Sequence, residues 1–302
     1  MNRGMLVLVC VLRQKINNHT WRSPVRLCAM VSVARTLFIS LVLSTVLLKE
    51  TLAADINYCT DHPNYLGSSH YIASQSCTFG MSSIPYKFES FTVASEVEVT
   101  LSNGVKIEIN HGLYLAKDSK LIIQFQVEIY AHNATLQAGS WVNGDHLGYK
   151  LGKGSGSFAN KYGGGGGSNG GNGGDARHTS NPTYMTVHDS YDSPTTPGSG
   201  AYFYYNQQSK GSGGAALKLV VKDHLQVDGK ISMNGEEGAR YYRTYHTYEH
   251  YGVGGGAAGS IWIMTRSLGG VGTIAADGGK GGQGANTGYD GGGGGGGRIA
   301  VV

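Results

Sequence analysis

From Phe88 to Gly139 apolar and polar residues alternate with a period of two. Val93, Ser95, Val97, Val99 and Leu101 fall on one face, with Glu96, Glu98 and Thr100 on the other. Such alternation predicts a strand with one face buried. Ser102-Asn103-Gly104 then turns the chain into Val105, Ile107 and Ile109, which alternate with Lys106, Glu108 and Asn110. Asn-Gly accepts the positive φ angles of a tight turn, so the pattern predicts a β-hairpin here. Leu121, Ile123, Phe125, Val127 and Ile129 continue the alternation, and no amphipathic helical pattern appears after Ala53.

Towards the carboxy end the strands shorten and repeat. Ser260-Ile261-Trp262-Ile263-Met264 and Gly272-Thr273-Ile274-Ala275-Ala276 are short β-prone runs bounded by glycine, too short for helices. An earlier copy runs from Gly213 through Leu217-Lys218-Leu219-Val220-Val221 to Leu225-Gln226-Val227 and Lys230-Ile231-Ser232. Leu217, Ile261 and Ile299 recur at spacings of 44 and 38 residues, and Ile231 and Ile274 at 43. A unit of roughly 40 residues lies in the range of stacked-repeat architectures. A fainter copy is Leu121 to Phe125 with Ala134 to Gly139, where Leu136 takes the place of Ile231 and Ile274.

The first fifty-odd residues read as a separate segment. Leu37 to Leu48 is an apolar run behind Arg35, and Thr51-Leu52-Ala53 supplies small residues for signal-peptidase cleavage before Ala54. The run is well short of the roughly 20 residues of a spanning helix, so secretion with no membrane span in the mature chain is expected. Met30 offers a second start, which would leave Met1 to Ala29 untranslated. Of 24 Lys and Arg, seven precede Ala54 with one acid, Glu50. The formal +4 of the whole chain thus becomes 17 basic against 19 acidic residues, which removes the argument for nucleic acid as a partner.

Cysteine use agrees with an oxidising compartment. Cys59 and Cys77 remain after the leader, and pairing them would constrain that polar segment by about 3 kcal/mol. Asn133-Ala134-Thr135 is the one clear glycosylation sequon in the mature chain. Ser140 to Ser212 interrupts the repeats with glycine runs at 163–167, 170–171 and 173–174, followed by a Tyr-, His- and Pro-containing patch. Dense glycine pays the largest backbone entropy on ordering, so mobility is the default. The alternative is that these runs lie against one another as polyproline-II strands, which only glycine allows at close contact.

Three motifs imitate chemistry. His246-Thr247-Tyr248-Glu249-His250 matches H-x-x-E-H, which binds zinc only when a helix puts both imidazoles on one face. It lies among Arg240-Tyr241-Tyr242-Arg243-Thr244-Tyr245 and glycines, without helical periodicity. Gly170 to Asp175 matches part of a calcium nonapeptide, but Arg177 stands where a large apolar residue belongs, and one copy cannot complete a shared site. Gly279 to Gly284 imitates a phosphate loop, but no Ser or Thr follows Lys280. No metal or cofactor is expected from these motifs. The tyrosine-rich stretch offers a contact surface made of Tyr241, Tyr242, Tyr245, His246, Tyr248, His250 and Tyr251, suited to sugar stacking or cohesion between chains.

The phrases GGGAAGSIWI, LGGVGTIAADGGKGG and GGGGGGGRIAV, within Gly211 to Val302, resemble repeats of glycine-rich extracellular proteins with pectin-lyase-like parallel β-helices. The resemblance implies an all-β solenoid and a secreted or surface-displayed scaffold. It also implies that carboxylates and cations on a coil face, here Asp223, Asp228, Lys230, Asp277, Lys280 and Arg298, are the candidates for polysaccharide chemistry. The expected organisation is a signal segment (1–53), a disulfide-bearing segment (54–87), an alternating β segment (88–139), a Gly/Tyr-rich insert (140–212) and repeat coils (213–302). Ile299-Ala300-Val301-Val302 ends the sequence on an apolar strand, which suggests further repeats or self-assembly by stacking. The expected role is a structural or adhesive extracellular protein whose partners are glycans or matrix proteins. The alternative is a lectin-like module or a polysaccharide lyase or hydrolase.

Overall fold

A computed structural model of the chain describes residues 57–61, 70–154, 164–175, 187–202, 210–242, 250–284 and 290–302. The period-two segments become strands β1 (His70–Ala73), β2 (Cys77–Phe79), β3 (Tyr86–Val93), β4 (Glu98–Leu101), β5 (Lys106–Leu115), β6 (Lys120–Ile123), β7 (Gln126–Ala131), β8 (Asn133–Leu136) and β9 (Trp141–Asn143). Then follow β10 (Ala216–Val227), β11 (Lys230–Ser232), β12 (Arg240–Tyr242), β13 (His250–Gly252), β14 (Ser260–Gly269), β15 (Thr273–Ala275) and β16 (Arg298–Val301). One 3-10 turn, Cys59–Asp61, is the sole helical element among the described residues.

All of these strands but β12 and β13 form two parallel sheets, and the chain alternates between them. The larger has the order β1-β3-β5-β7-β10-β14-β16, with β8 continuing the position of β7 between β5 and β10; the smaller has the order β2-β4-β6-β9-β11-β15. Lys106 pairs with Glu128 and Val99 with Leu121, so one circuit through both sheets takes 22 residues. After β9 the circuits carry additions, which lengthen Gln126↔Ala216 to 90 residues, Ala216↔Ser260 to 44 and Ser260↔Arg298 to 38. The repeat of roughly 40 residues is therefore one circuit plus a glycine-rich excursion. All three excursions, 144–215, 233–259 and 276–297, leave after a smaller-sheet strand and re-enter at the larger sheet.

Leu217, Ile261 and Ile299 stand side by side in the larger sheet, as do Ile231 and Ile274 in the smaller. The fainter copy is out of phase: the partner of Ile231 is Val142, whereas Leu136 pairs with Leu115 and Val227 in the other sheet. The Asn103-Gly104 hairpin is also corrected. Gly104 has φ 76° and Val105 N–H donates to Ser102 O, so the turn forms. It carries the chain between sheets, because β4 pairs in parallel with β2 and β6, and β5 with β3 and β7. The predicted run Val93 to Leu101 breaks at a corner where Val97 N–H donates to Ala94 O and Glu96 has φ 63°; Asp118 (φ 58°) and Gly139 (φ 82°) repeat that corner one and two circuits later.

Between the sheets lies one side-chain core, with Leu101, Ile107, Leu115, Leu121, Ile123, Leu136, Leu217 and Ile261 all at or below 1 % exposure. Its amino-terminal end is aromatic: the rings of Tyr71 and Phe91 stack at 5.4 Å, and Phe79 meets Tyr86 edge-on at 4.9 Å. Cys59 and Cys77 form a disulfide at this end. β1 and β2 already belong to the sheets, so the segment before Phe88 is continuous with the rest, and β9 lies inside the stretch read as insert.

The described glycine runs of these excursions are held together by their own backbone. Gly255 and Ala258 N–H donate to Gly292 and Gly295 O; Gly292 and Gly295 donate to Gly164 and Gly167 O; Gly164 and Gly167 donate to Gly252 and Gly255 O. Three parallel runs thus bond in a closed ring, and every ladder advances in steps of three, not the two of a β-strand. Antiparallel runs join them: Gly279 and Gly282 donate to Gly256 and Val253 O, while Gly291, Gly294 and Gly297 donate to Gly282, Gly279 and Ala276 O. A Cβ on Gly294 would overlap the Gly256 carbonyl, whereas one on Gly293 would meet only Gly279 O at 3.8 Å.

Candidate functional site

The tyrosine-rich stretch forms an antiparallel pair, with Tyr241↔Tyr251 and Tyr242↔His250 in register between β12 and β13. Tyr245, His246 and Tyr248 lie outside the described residues. Tyr251 is 5 % exposed and packs with Val253, Leu151 and Ala239, so it anchors the hairpin and is not an outward contact. His250 sits on a strand, so the helix that H-x-x-E-H needs is not present at that residue. Among the described residues no group of three His, Cys, Asp or Glu is arranged to hold a metal ion.

The other glycine motifs are occupied by backbone bonding. Gly171 and Gly174 N–H donate to Gly296 and Gly293 O, and Gly173 N–H to Ser168 Oγ. Gly279 and Gly282 are engaged as above, and Lys280 Nζ lies 4.0 Å from Glu237. The six candidates for polysaccharide chemistry are dispersed. Asp223 pairs with Arg266 at 3.5 Å; Asp228 accepts from Gln226 Nε2 and Val271 N–H; Lys230 lies 4.8 Å from the Trp141 ring and 3.9 Å from Asp145. Asp277 N–H donates to Asn234 Oδ1, and Arg298 opens β16. Asn133 is exposed at the start of β8, and its Oδ1 accepts from His224 N–H.

The structure instead brings together residues that belong to none of these motifs. Register puts Lys106, Glu128, Lys218 and Trp262 side by side on the outward face of the larger sheet, with Glu108, Tyr130, Val220 and Met264 two residues along. Lys106 Nζ lies 3.2 Å from Glu108 and 4.6 Å from the Tyr130 ring centre. Lys218 Nζ lies 4.3 Å from the Trp262 ring and 5.7 Å from Tyr130. Tyr130 Oη donates to Glu128 Oε2 at 2.8 Å; burial, reinforced by that carboxylate, pushes the phenol up to about 12. The Lys106 ammonium, aided by Lys87 at 3.3 Å, holds Glu108 below the ordinary carboxylate range. Beside this face is a hollow of about 430 Å³, lined by Ser82 to Pro85, Gly104 to Lys106, Gln126 and Glu128. The signal was legible as outward positions one circuit apart, Lys106 and Glu128, but only once the 22-residue period is known.

A polar pin ties the 187–202 segment to these sheets. Asp189 (φ 79°) accepts from Thr195 N–H at 3.0 Å, Thr196 N–H at 3.1 Å and Ser260 Oγ at 2.6 Å. Burial alone would raise this carboxyl, but the Ser260 hydroxyl and three backbone N–H groups hold it below its ordinary range. Asn169 Nδ2 donates to Ala258 O at 2.9 Å beside it. Comparison of the chain with protein-family models, with curated proteins and with solved structures found no match.

Proposed function

We propose that this chain is an extracellular scaffold: a parallel β-solenoid whose later coils carry a lattice of polyproline-II glycine runs, serving as a structural or adhesive component. The observation that carries the reading is the three-residue step of the hydrogen bonds among the runs at 164–167, 252–259, 276–282 and 291–297. Polyproline II has three residues per turn and no internal hydrogen bonds, so its amides are free to bond neighbours in several directions at once. An array of this kind spends sequence on backbone contact, which provides stiffness and a surface free of bulky side chains. The disulfide and the apolar run at 37–48 support export and cleavage before Ala54.

A second reading, saccharide binding, is favoured by the aromatic and charged outward face with its adjoining hollow. Lys218 covers both rings, so stacking a sugar there requires that lysine to swing away. The test is expression in a secreting host, followed by adlayer formation on glycan-coated and bare hydrophilic surfaces and by a screen for unsaturated or shortened sugars. Recovery from the medium with Ala54 at the amino terminus and a stiff, persistent adlayer without turnover is expected. Retention inside the cell, or sugar turnover, contradicts the scaffold reading.

A further inference from the structure

The register of the larger sheet is interrupted midway along its long strands, and titratable groups collect at the interruption. Register is interrupted between Phe88 and Ser90 in β3 and between Val221 and His224 in β10. The residues displaced there, rung by rung, are Glu89, Asn110 with His111, His132, Lys222 with Asp223, and Arg266. The next row brings His70 beside Ser90, Asn133 onto Gly112, and His224 beside Ser267. His132 N–H donates to His111 O and Asp223 N–H to His132 O, so the backbones of these rungs are directly stacked.

Nearly all of these side chains face solvent. Those of His111 and Arg266 are 72 % and 80 % exposed, and His70, His132, Lys222 and His224 are exposed as well. Their contacts are light: His111 Nδ1 to Glu89 at 3.6 Å, His70 Nδ1 to Ser90 Oγ at 2.7 Å, His224 Nδ1 to Ser267 Oγ at 2.8 Å and Arg266 to Asp223 at 3.5 Å. With imidazoles neutral, Glu89 and Asp223 balance Lys222 and Arg266. With imidazoles protonated, four positive charges are added across these two rows, against the same two carboxylates.

We infer that this ridge is a binding surface for linear polyanions, such as sulfated or carboxylated glycans, that engages as pH falls through the imidazole range. The spacing of strands, about 4.8 Å, spreads the four imidazoles over roughly 19 Å from β1 to β10, the footprint of a few saccharide units. Exposed imidazoles ordinarily take up their proton near pH 6.5, while sulfates and carboxylates stay ionised well below that. The inference does not rest on the scaffold reading, because the ridge lies on the sheet, away from the glycine runs. An N-glycan on Asn133 would stand over it, so the test uses chain from a host that adds none.

Dextran sulfate and uncharged dextran are titrated onto the folded chain at about pH 5.5 and about pH 7.5, either side of that range and at physiological salt. Dextran sulfate is expected to bind at least about tenfold more tightly at the lower pH, and uncharged dextran not at all. The triple variant His111→Gln, His132→Gln, His224→Gln should flatten the pH dependence to within about twofold. The double variant Glu89→Gln, Asp223→Asn should strengthen binding at both pH values. A pH gain that survives the triple variant, equal binding of uncharged dextran, or no gain at all overturns the proposal.

Discussion

The first circuits, β1 to β9, and the glycine runs between 164 and 297 are two answers to one requirement, that every buried backbone amide find a partner. In the circuits strands pair edge to edge, and alternate side chains fill the space between the sheets. In the glycine runs amides bond neighbours on several sides, and most close contacts are backbone against backbone. The difference teaches that order here does not require a hydrophobic pattern. It requires the absence of a Cβ at positions set by a three-residue period.

That contrast predicts unlike responses to single substitutions. Ile107, 1 % exposed between the sheets, should cost about 2–5 kcal/mol as Ile107→Ala in denaturant unfolding, with the loss felt throughout the coils. Reducing or replacing Cys59 and Cys77, separated by 18 residues, should lower stability by about 3 kcal/mol and loosen the aromatic end first, as followed by Tyr fluorescence. Gly294→Ala forces a methyl onto the Gly256 carbonyl and should cost about 1–3 kcal/mol, with amide protection lost in 252–259 and 276–282 while β3 to β6 keep theirs.

Smaller effects sharpen the account at its seams. Asp189 is held below its ordinary range, so its contribution is complete above the unfolded carboxylate value and fades as pH falls through the folded one. Acid below about pH 4, or Asp189→Asn at neutral pH, should free 187–197 to proteolysis before the sheets unfold. Gly293→Ala, whose methyl would meet only the Gly279 carbonyl at an ordinary 3.8 Å, should change stability by less than about 0.5 kcal/mol.

The sheets were legible because the alternation at Val97, Val99 and Leu101, or Ile107 and Ile109, marks a half-buried strand whatever its partner. Partnership was not legible. Asn103-Gly104 forms the same tight turn whether it closes a hairpin or rounds a corner, and Glu96 and Asp118 take positive φ with no glycine to announce it. Leu136 resembles Ile231 in its flanking residues, yet it ends β8 beside Leu115 and Val227 in the larger sheet, a placement that local pattern does not carry. The outward cluster of Lys106, Glu128, Tyr130, Lys218 and Trp262 was hidden for a related reason, since its members meet only when circuits of unequal length are stacked. In the glycine runs, identical residues carry no side-chain signal, so 293 and 294 look alike although one is open and the other filled.

Site-resolved hydrogen exchange of the glycine amides in 291–297 addresses this lattice directly. The N–H groups of Gly292, Gly294 and Gly295 donate to Gly164, Gly279 and Gly167, whereas those of Gly293 and Gly296 have no acceptor among the described residues. Slow exchange is expected at 292, 294 and 295 and fast exchange at 293 and 296, a three-residue pattern. Uniformly fast exchange across 291–297, or protection alternating every second residue, would contradict it.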